Sequence, residues 1–345
     1  MSQWKIGRTM LAWLGLTAGL GAVIVLVAWN GIGTVAQVIA AAGWSILLLS
    51  LYFIIDLAGS ALSWQMLFAH GRAPSLGRAL GSSWMGSSVN ALLPVANVGG
   101  EVVRARQVMR HGLDGASAGA SVIVDKTVQA LTVLLWGLVG LALLVGHTAD
   151  RQVIAGATLG FVLFGVGLAG FFLVQRLGVF GPAARAAAAI TNRAFWHDLA
   201  GSGAALDRAI RATYARVGRL LWASGIKLAT RVILATEVSA AALLMDQHIP
   251  LLEAFMIRSL AVTVRAVAFA IPSGLGAQEG TFVAVGALLG YPPELMLAIS
   301  LATRVREILP YIPGLFALQF VEGRAFWRRR SAGHQRASSA SSEPR

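Results

Sequence analysis

Long stretches of apolar residues dominate the chain, and short polar or basic segments separate them. A helix needs about 20 consecutive apolar residues to cross the hydrocarbon core of a bilayer. Six stretches reach about this length and are predicted to span the membrane: 10–29, 44–68, 116–145, 153–174, 220–244 and 295–321. The pattern therefore predicts an all-α integral membrane protein with about six transmembrane helices.

The first stretch could also be interpreted as a secretory signal, because Lys5 and Arg8 precede it. A cleavable signal has an apolar core of about 7 to 15 residues and small residues at the cleavage site. Residues 10–29 are longer than that, and Ala28-Trp29-Asn30-Gly31 does not resemble a cleavage site. We therefore expect a retained first helix.

Two further apolar stretches, 79–109 and 251–289, are interrupted by proline, glycine and ionisable residues. Such interruptions are typical of broken or re-entrant segments. Lysine and arginine concentrate in 72–78, 104–110, 176–219 and 324–330, which the positive-inside rule places in the cytoplasm. Successive loops alternate between the two sides of the membrane only if each interrupted stretch returns to the side from which it entered. We therefore predict two re-entrant hairpins and cytoplasmic termini.

Composition supports a membrane protein: 57% of the 345 residues are hydrophobic and only 12% are charged, against about a quarter in soluble domains. The formal net charge is +13. Because the basic residues lie beside apolar stretches, this charge indicates cytoplasmic anchoring and contact with anionic lipids rather than nucleic acid. The chain has no cysteine, which excludes disulfides and thiolate catalysis.

Residues 176–219 are rich in alanine and arginine, and two interpretations stay open. They could form amphipathic helices on the cytoplasmic surface of the membrane, or a solvated helical loop. Residues 324–345 are basic, contain few apolar residues, and are predicted to be a disordered cytoplasmic tail.

The two interrupted stretches share a pattern with equal spacing, from Pro94 to Glu101 and from Pro272 to Glu279. Carried forward in the same register, Lys126 corresponds to Arg304. The repeat predicts two membrane units, 1–147 and 148–323, which start on opposite sides of the membrane. Inverted repeats with broken segments at matching positions are how many secondary transporters build a substrate site near the bilayer midplane.

The motif residues indicate how each broken segment is built. Pro94 and Pro272 each remove a backbone donor, and tight turns are permitted by Gly99, Gly100, Gly274 and Gly276. A short helix can then begin near each glutamate, and its amides could hold an anionic head group. In the alternative interpretation each glutamate only complements the helix dipole.

Ionisable residues inside the predicted spans are costly in lipid and are functional candidates by default. Helix-to-helix ion pairs without a substrate are the structural alternative. These residues are Asp56, Asp125, Lys126, Lys227, Arg231, Glu237, Arg258, Arg265, Arg304, Arg306 and Glu307. The six histidines show no metal-ligand spacing and no nucleotide-binding loop is present, so neither a metal nor a cofactor is expected.

The motif residues resemble those of the lysylphosphatidylglycerol synthase transmembrane region, or flippase-like, family. The resemblance covers about residues 10 to 325 and includes Pro94, Gly99-Gly100-Glu101, Arg104, Asp125-Lys126, Pro272 to Glu279, and Arg304. The stand-alone form is similar to the branch associated with hopanoid biosynthesis. Because only about 20 polar residues follow the last predicted span, the resemblance implies lipid translocation or binding and argues against aminoacyl transfer.

We therefore expect a non-enzymatic protein of the bacterial inner membrane that moves an amphiphile between leaflets. The amphiphile could be a phospholipid, an aminoacylated lipid or a hopanoid. The candidate head-group or gating residues are Glu101, Arg104, Asp125, Lys126, Arg265, Glu279, Arg304 and Glu307. Two alternatives stay open: a membrane-embedded transferase with a carboxylate base, and a scaffold that recruits lipid-biosynthetic enzymes through its basic cytoplasmic loop.

Overall fold

A computed structural model describes residues 43–69, 73–93, 99–147, 151–178, 194–268 and 276–321. The predicted span 10–29, the tail 324–345, and the motif residues Pro94, Pro272 and Gly274 lie outside the described residues. Every regular element in the described ranges is helical, which confirms the predicted all-α class.

A 3-10 helix, Gly43–Leu51, continues directly into the first α-helix. The α-helices are α1 (Tyr52–Met66), α2 (Leu76–Leu92), α3 (Gly99–Met109), α4 (Gly115–His147), α5 (Arg151–Leu177), α6 (Ala194–Tyr214), α7 (Val217–Leu243), α8 (Leu251–Val267), α9 (Ala277–Leu288), α10 (Pro293–Ile308) and α11 (Tyr311–Val321).

Three described helical stretches are long and apolar enough to cross a membrane: Gly43–Met66, Gly115–His147 and Ile154–Leu177. They coincide with the predicted spans 44–68, 116–145 and 153–174. The predicted span 220–244 is also one helix, α7, of 27 residues. Its Lys227, Arg231 and Glu237 make it more polar than the other three. The count of six spans and the inverted repeat stay predictions.

The predicted span 295–321 is not one continuous helix. The chain turns at Leu309 and Pro310, so that α10 ends at Ile308 and α11 begins at Tyr311. Proline has no backbone N–H, and inside a helix its ring clashes with the carbonyl four residues earlier. The carbonyl of Pro310 accepts a hydrogen bond from Trp84 Nε1 at 2.8 Å, which ties the break to α2.

The predicted interruptions in 79–109 and 251–289 are confirmed, since each stretch consists of two helices. Asn90 of α2 contacts Gly100 of α3, and Gly86, one turn earlier, lies against Arg104, one turn later. Helices α2 and α3 are therefore antiparallel and form the first hairpin (76–109). Arg265 likewise contacts Gln278 across the second hairpin (251–288), formed by α8 and α9.

The two hairpins open at opposite ends of α7. The open end of the first lies near Arg216, which precedes α7 and donates to the carbonyl of Leu67. The open end of the second lies near Met245, beyond the end of α7, where Ile249 and Leu295 share a buried apolar cluster with it. The open ends of the two hairpins are therefore separated by the length of α7.

Helix α6 packs on α4. Its Ile210 and Tyr214 are buried in an apolar cluster that also contains Ala79 and Val108 of the first hairpin. This part of the basic segment 176–219 is therefore an ordered helix docked on the bundle. Residues 179–193 of the same segment lie outside the described residues.

Candidate functional site

Glu101 is positioned by the close packing of the first hairpin. Gly100 lies so near α2 that a Cβ there would overlap the carbonyl oxygen of Gly86, so this position has no room for a larger residue. Asn90 Oδ1 accepts the backbone N–H of Gly100 at 2.8 Å, while Asn90 Nδ2 donates to Glu101 Oε1 at 3.0 Å. One asparagine of α2 thus fixes both the start of α3 and its glutamate.

Five charged side chains from α3, α4 and α7 form one ion-pair cluster, here called the first network: Glu101, Arg104, Asp125, Lys126 and Lys227. Asp125 is at its centre, with Arg104 Nη1 at 2.7 Å and Lys227 Nζ at 2.9 Å from its two oxygens. Glu101 contacts Lys126 Nζ and lies 3.5 Å from Arg104 Nη1. Three cations face two carboxylates, so the first network carries one net positive charge.

Burial differs sharply within the first network. The Asp125 side chain is 1% exposed, and Arg104 and Lys227 are also buried, whereas the Lys126 side chain is 34% exposed. Charges interact more strongly in a buried, weakly polarisable site than in water. The excess positive charge can therefore be reached from outside through Lys126, while its partners are held inside the protein.

Arg104 has hydrogen-bonding capacity that the described residues do not use. Its guanidinium lies 4.2 Å above the centre of the Trp64 ring, a cation–π contact. Its Nε and Nη2, and the Nε2 of Gln107 one turn later, are buried without a hydrogen-bond partner among the described residues. Buried donors normally have a partner, such as a water molecule or a ligand.

Glu279, at the matching position of the second hairpin, is held differently. Gly276 has a φ of +81°, a conformation that favours glycine, and its N–H donates to Glu279 Oε2 at 2.8 Å. Arg304 Nε donates to Glu279 Oε1 at 2.9 Å, and both side chains are buried. Glu279 therefore caps α9 and forms a sealed ion pair with α10.

Arg265, near the end of α8, connects the two helices of the second hairpin. Its Nη1 donates to Gln278 Oε1 at 3.1 Å. The amide nitrogen of Gln278 lies 3.4 Å from the Ser300 hydroxyl and 3.3 Å from that of Thr303, both on α10. This polar layer ties the end of α8 to α9 and α10.

A separate ion-pair network joins α1, α7, α8 and α10. Arg306 Nε contacts both oxygens of Glu237, at 2.9 and 3.1 Å, and Arg306 Nη1 contacts Asp56 at 3.0 Å. Arg258 lies 3.6 Å from Glu237. The sequence indicated these four as ionisable residues within spans but did not single them out as a site.

The predicted site residues fall into two groups. The structure brings together Glu101, Arg104, Asp125 and Lys126 at the first hairpin, and Arg265, Glu279 and Arg304 at the second. The side chain of Glu307 lies outside the described residues. Lys227 was missed as a site residue, because only the tertiary packing of α7 against α4 brings it to Asp125.

The glycines of the motifs differ in role from the prediction. Gly276 occupies a turn, as expected, but Gly99 and Gly100 lie within the first turn of α3. Among the described residues, no three His, Asp or Glu side chains are grouped as metal ligands.

The family model described as the lysylphosphatidylglycerol synthase TM region matches residues 13–314, which is most of the chain. No curated protein and no solved structure gives a significant match.

Proposed function

Since the chain belongs to the lysylphosphatidylglycerol synthase TM region family, we propose that it binds the polar head group of an amphiphilic lipid and moves it between leaflets. The membrane is the bacterial inner membrane, with both termini in the cytoplasm. The substrate is a phospholipid, an aminoacylated lipid or a hopanoid, and the protein acts without chemistry on the lipid.

The observation that carries this proposal is the first network. Isolated charges inside a membrane protein are expensive, and they occur mainly where they pair or line a polar pathway. Here Asp125 pairs with two buried cations, and a further cation, Lys126, is partly exposed. An anionic head group that reaches Lys126 would compensate the net positive charge of the first network.

The arrangement of the hairpins supports movement rather than binding alone. They open at opposite ends of α7, and each places a glutamate beside a cation on the helix that follows: Glu101 beside Lys126, and Glu279 beside Arg304. An inverted repeat of this kind would let the protein open toward either leaflet in turn.

The proposal is tested by leaflet exchange of the host's own fluorescently labelled polar lipids in liposomes that contain the purified protein. We expect the native chain to accelerate exchange over empty liposomes, and the double variant Glu101→Gln/Glu279→Gln to lose at least 90% of this acceleration. Glutamine keeps the shape of glutamate and one of its two acceptor oxygens but removes its charge.

The matched control is Glu253→Gln/Glu294→Gln. These glutamates also lie in the first turns of helices, α8 and α10, so their replacement changes the helix-dipole interaction equally. The control should exchange lipids at the native rate. The proposal would be overturned if the folded Glu101/Glu279 variant exchanged lipids at the native rate. It would also be overturned if the folded native chain exchanged no host lipid class, and this second result would favour a transferase or a scaffold.

A further inference from the structure

A cavity of about 710 Å³ lies at the end of the bundle where the first hairpin opens. Its walls come from the end of α1, the start of α2, the connection between α3 and α4, and the end of α6. The polar side chains that line it include Arg78, His111, Asp114, Ser117, Ser121 and Arg216. Its volume is in the range of pockets that bind small molecules, about 300 to 1,000 Å³.

The charges of the cavity favour an anion. Arg78 and Arg216 supply two guanidinium groups, while the one carboxylate among its lining residues, Asp114, accepts the backbone N–H of Ser117 at 2.8 Å. His111 Nδ1 lies 2.8 Å from the carbonyl oxygen of Gln107 and donates to it, since a carbonyl only accepts. Arginine is well suited to phosphate, because its planar group offers paired donors.

Trp64 lies between this cavity and the first network. Its Nε1 donates to the Ser121 hydroxyl, a cavity residue, at 3.2 Å, and its ring faces the Arg104 guanidinium at 4.2 Å. Phe68, which also lines the cavity, contacts the Trp64 ring edge to face at 5.2 Å. Trp64 is fully buried, so it closes the direct route from the cavity to Arg104.

Polar positions lead from the cavity to the first network along two helices. On α4, Ser117, Ser121 and Asp125 are spaced by four residues and therefore share one face. On α3, Gln107 lies between cavity residue His111 and Arg104, and its amide nitrogen is one of the buried donors without a partner among the described residues. The unused donors Nε and Nη2 of Arg104 thus lie on the side of Trp64 that faces the first network.

We propose that this cavity binds the phosphate of a phosphate-bearing lipid head group, and that Trp64 is the gate between the cavity and the first network. The inference rests on the proposed function for the transport step, which it deepens by naming the substrate class and the point of access. The phosphate would be held by Arg78 and Arg216, and displacement of Trp64 would expose it to Arg104.

Binding is measured first, on the purified full-length chain in nanodiscs of uncharged lipid. The probes are dihexanoyl phosphatidylglycerol, inorganic phosphate and dihexanoyl glycerol, which has no phosphate. We expect the phosphatidylglycerol probe to bind, and its Kd to rise at least tenfold in Arg78→Gln and in Arg216→Gln. Arg151→Gln is the control, because Arg151 is exposed at the start of α5 and does not line the cavity.

These measurements distinguish a lipid phosphate from free inorganic phosphate as the ligand of the cavity. Binding of inorganic phosphate as tight as that of the lipid probe would overturn the assignment to a lipid. Equal binding of dihexanoyl glycerol would overturn the phosphate assignment, as would an unchanged Kd in both cavity variants.

The gate is tested with Trp64→Phe, which keeps an aromatic ring beneath Arg104 but removes the donor to Ser121. We expect cavity binding of the phosphatidylglycerol probe to stay within twofold of the native value, while leaflet exchange rises at least threefold because the gate opens more easily. The control is Trp222→Phe, since Trp222 is an exposed residue of α7. Unchanged or slower exchange in Trp64→Phe would overturn the gate.

Each of the two proposals can be refuted without refuting the other. Exchange by the native chain without probe binding in the cavity would refute this inference and leave the proposed function standing. Probe binding that depends on Arg78 and Arg216, without exchange of any lipid, would refute the proposed function and leave the phosphate site standing.

Discussion

In the first hairpin, Glu101 contacts Lys126 and Arg104 in a network of five charges, whereas in the second hairpin Glu279 contacts Arg304 and caps the backbone at Gly276. Lys126 is partly exposed, while Glu279 and Arg304 are buried together. The two motifs have the same spacing from proline to glutamate, but the first forms an accessible charged site and the second forms a buried ion pair.

The difference indicates a division of labour between the hairpins. A sealed, nearly neutral pair can hold α9 against α10, but a ligand can reach it only after the pair separates. The first network has excess positive charge and an accessible cation already in place. We therefore expect replacement of Glu101 to affect lipid handling more than replacement of Glu279, and replacement of Glu279 to affect stability more than replacement of Glu101.

Asp125→Ala is expected to have the largest effect, because it leaves Arg104 and Lys227 buried without the carboxylate that joins them. Removal of one partner from a buried ion pair costs about 3 to 5 kcal/mol of unfolding free energy. The loss is measured by denaturation of the purified protein in detergent micelles. Addition of Lys227→Met to Asp125→Ala should recover part of the stability; no recovery would show that the pair is not coupled.

Gly100→Ala is expected to come next, since its Cβ would overlap the Gly86 carbonyl and push the helices of the first hairpin apart. Overpacking of this kind costs about 1 to 3 kcal/mol. The glycine compared with it in the second hairpin is Gly280, near the start of α9. A Cβ there meets open space inside a helix, so Gly280→Ala should be neutral or slightly stabilising. Equal melting temperatures for the two variants would contradict the packing of the first hairpin.

The comparison of Glu279→Gln with Glu101→Gln should show the smallest difference in stability. Glu279→Gln removes the charge that faces buried Arg304 and is expected to cost about 1.5 to 3 kcal/mol, the range for a hydrogen bond to a charged group. Glu101→Gln should cost less, because Lys126 can be solvated. Leaflet exchange should show the reverse order, with Glu101→Gln the slower variant; if Glu279→Gln is slower, the division of labour is wrong.

Local patterns in the sequence were sufficient to predict much of the fold. Apolar length identified the helices over 44–68, 116–145 and 153–174, because a bilayer imposes that length on each segment. Proline and glycine identified the breaks in both hairpins. The equal offset from Glu101 to Lys126 and from Glu279 to Arg304 predicted corresponding charges, and the structure brings both pairs into contact.

Contacts between distant segments could not be predicted in this way. Lys227 reaches Asp125 from a helix about 100 residues later, and nothing in local spacing distinguishes it from Arg231 one turn away. Pro310 was underestimated as a helix breaker within an apolar stretch. The role of Gly100 depends on the surface of α2 against which it packs, which one segment of sequence does not contain.

The pairing of Asp56 with Arg306 also has a consequence for biosynthesis, because 250 residues separate the two. At a synthesis rate of about 5 to 20 residues per second, Asp56 leaves the ribosome roughly 10 to 50 seconds before Arg306. A carboxylate at the centre of an inserting helix costs about 2.5 to 3.5 kcal/mol on translocon scales. The apolar residues of α1 must offset that cost until α10 is synthesised, so the order of insertion limits how polar this helix can be.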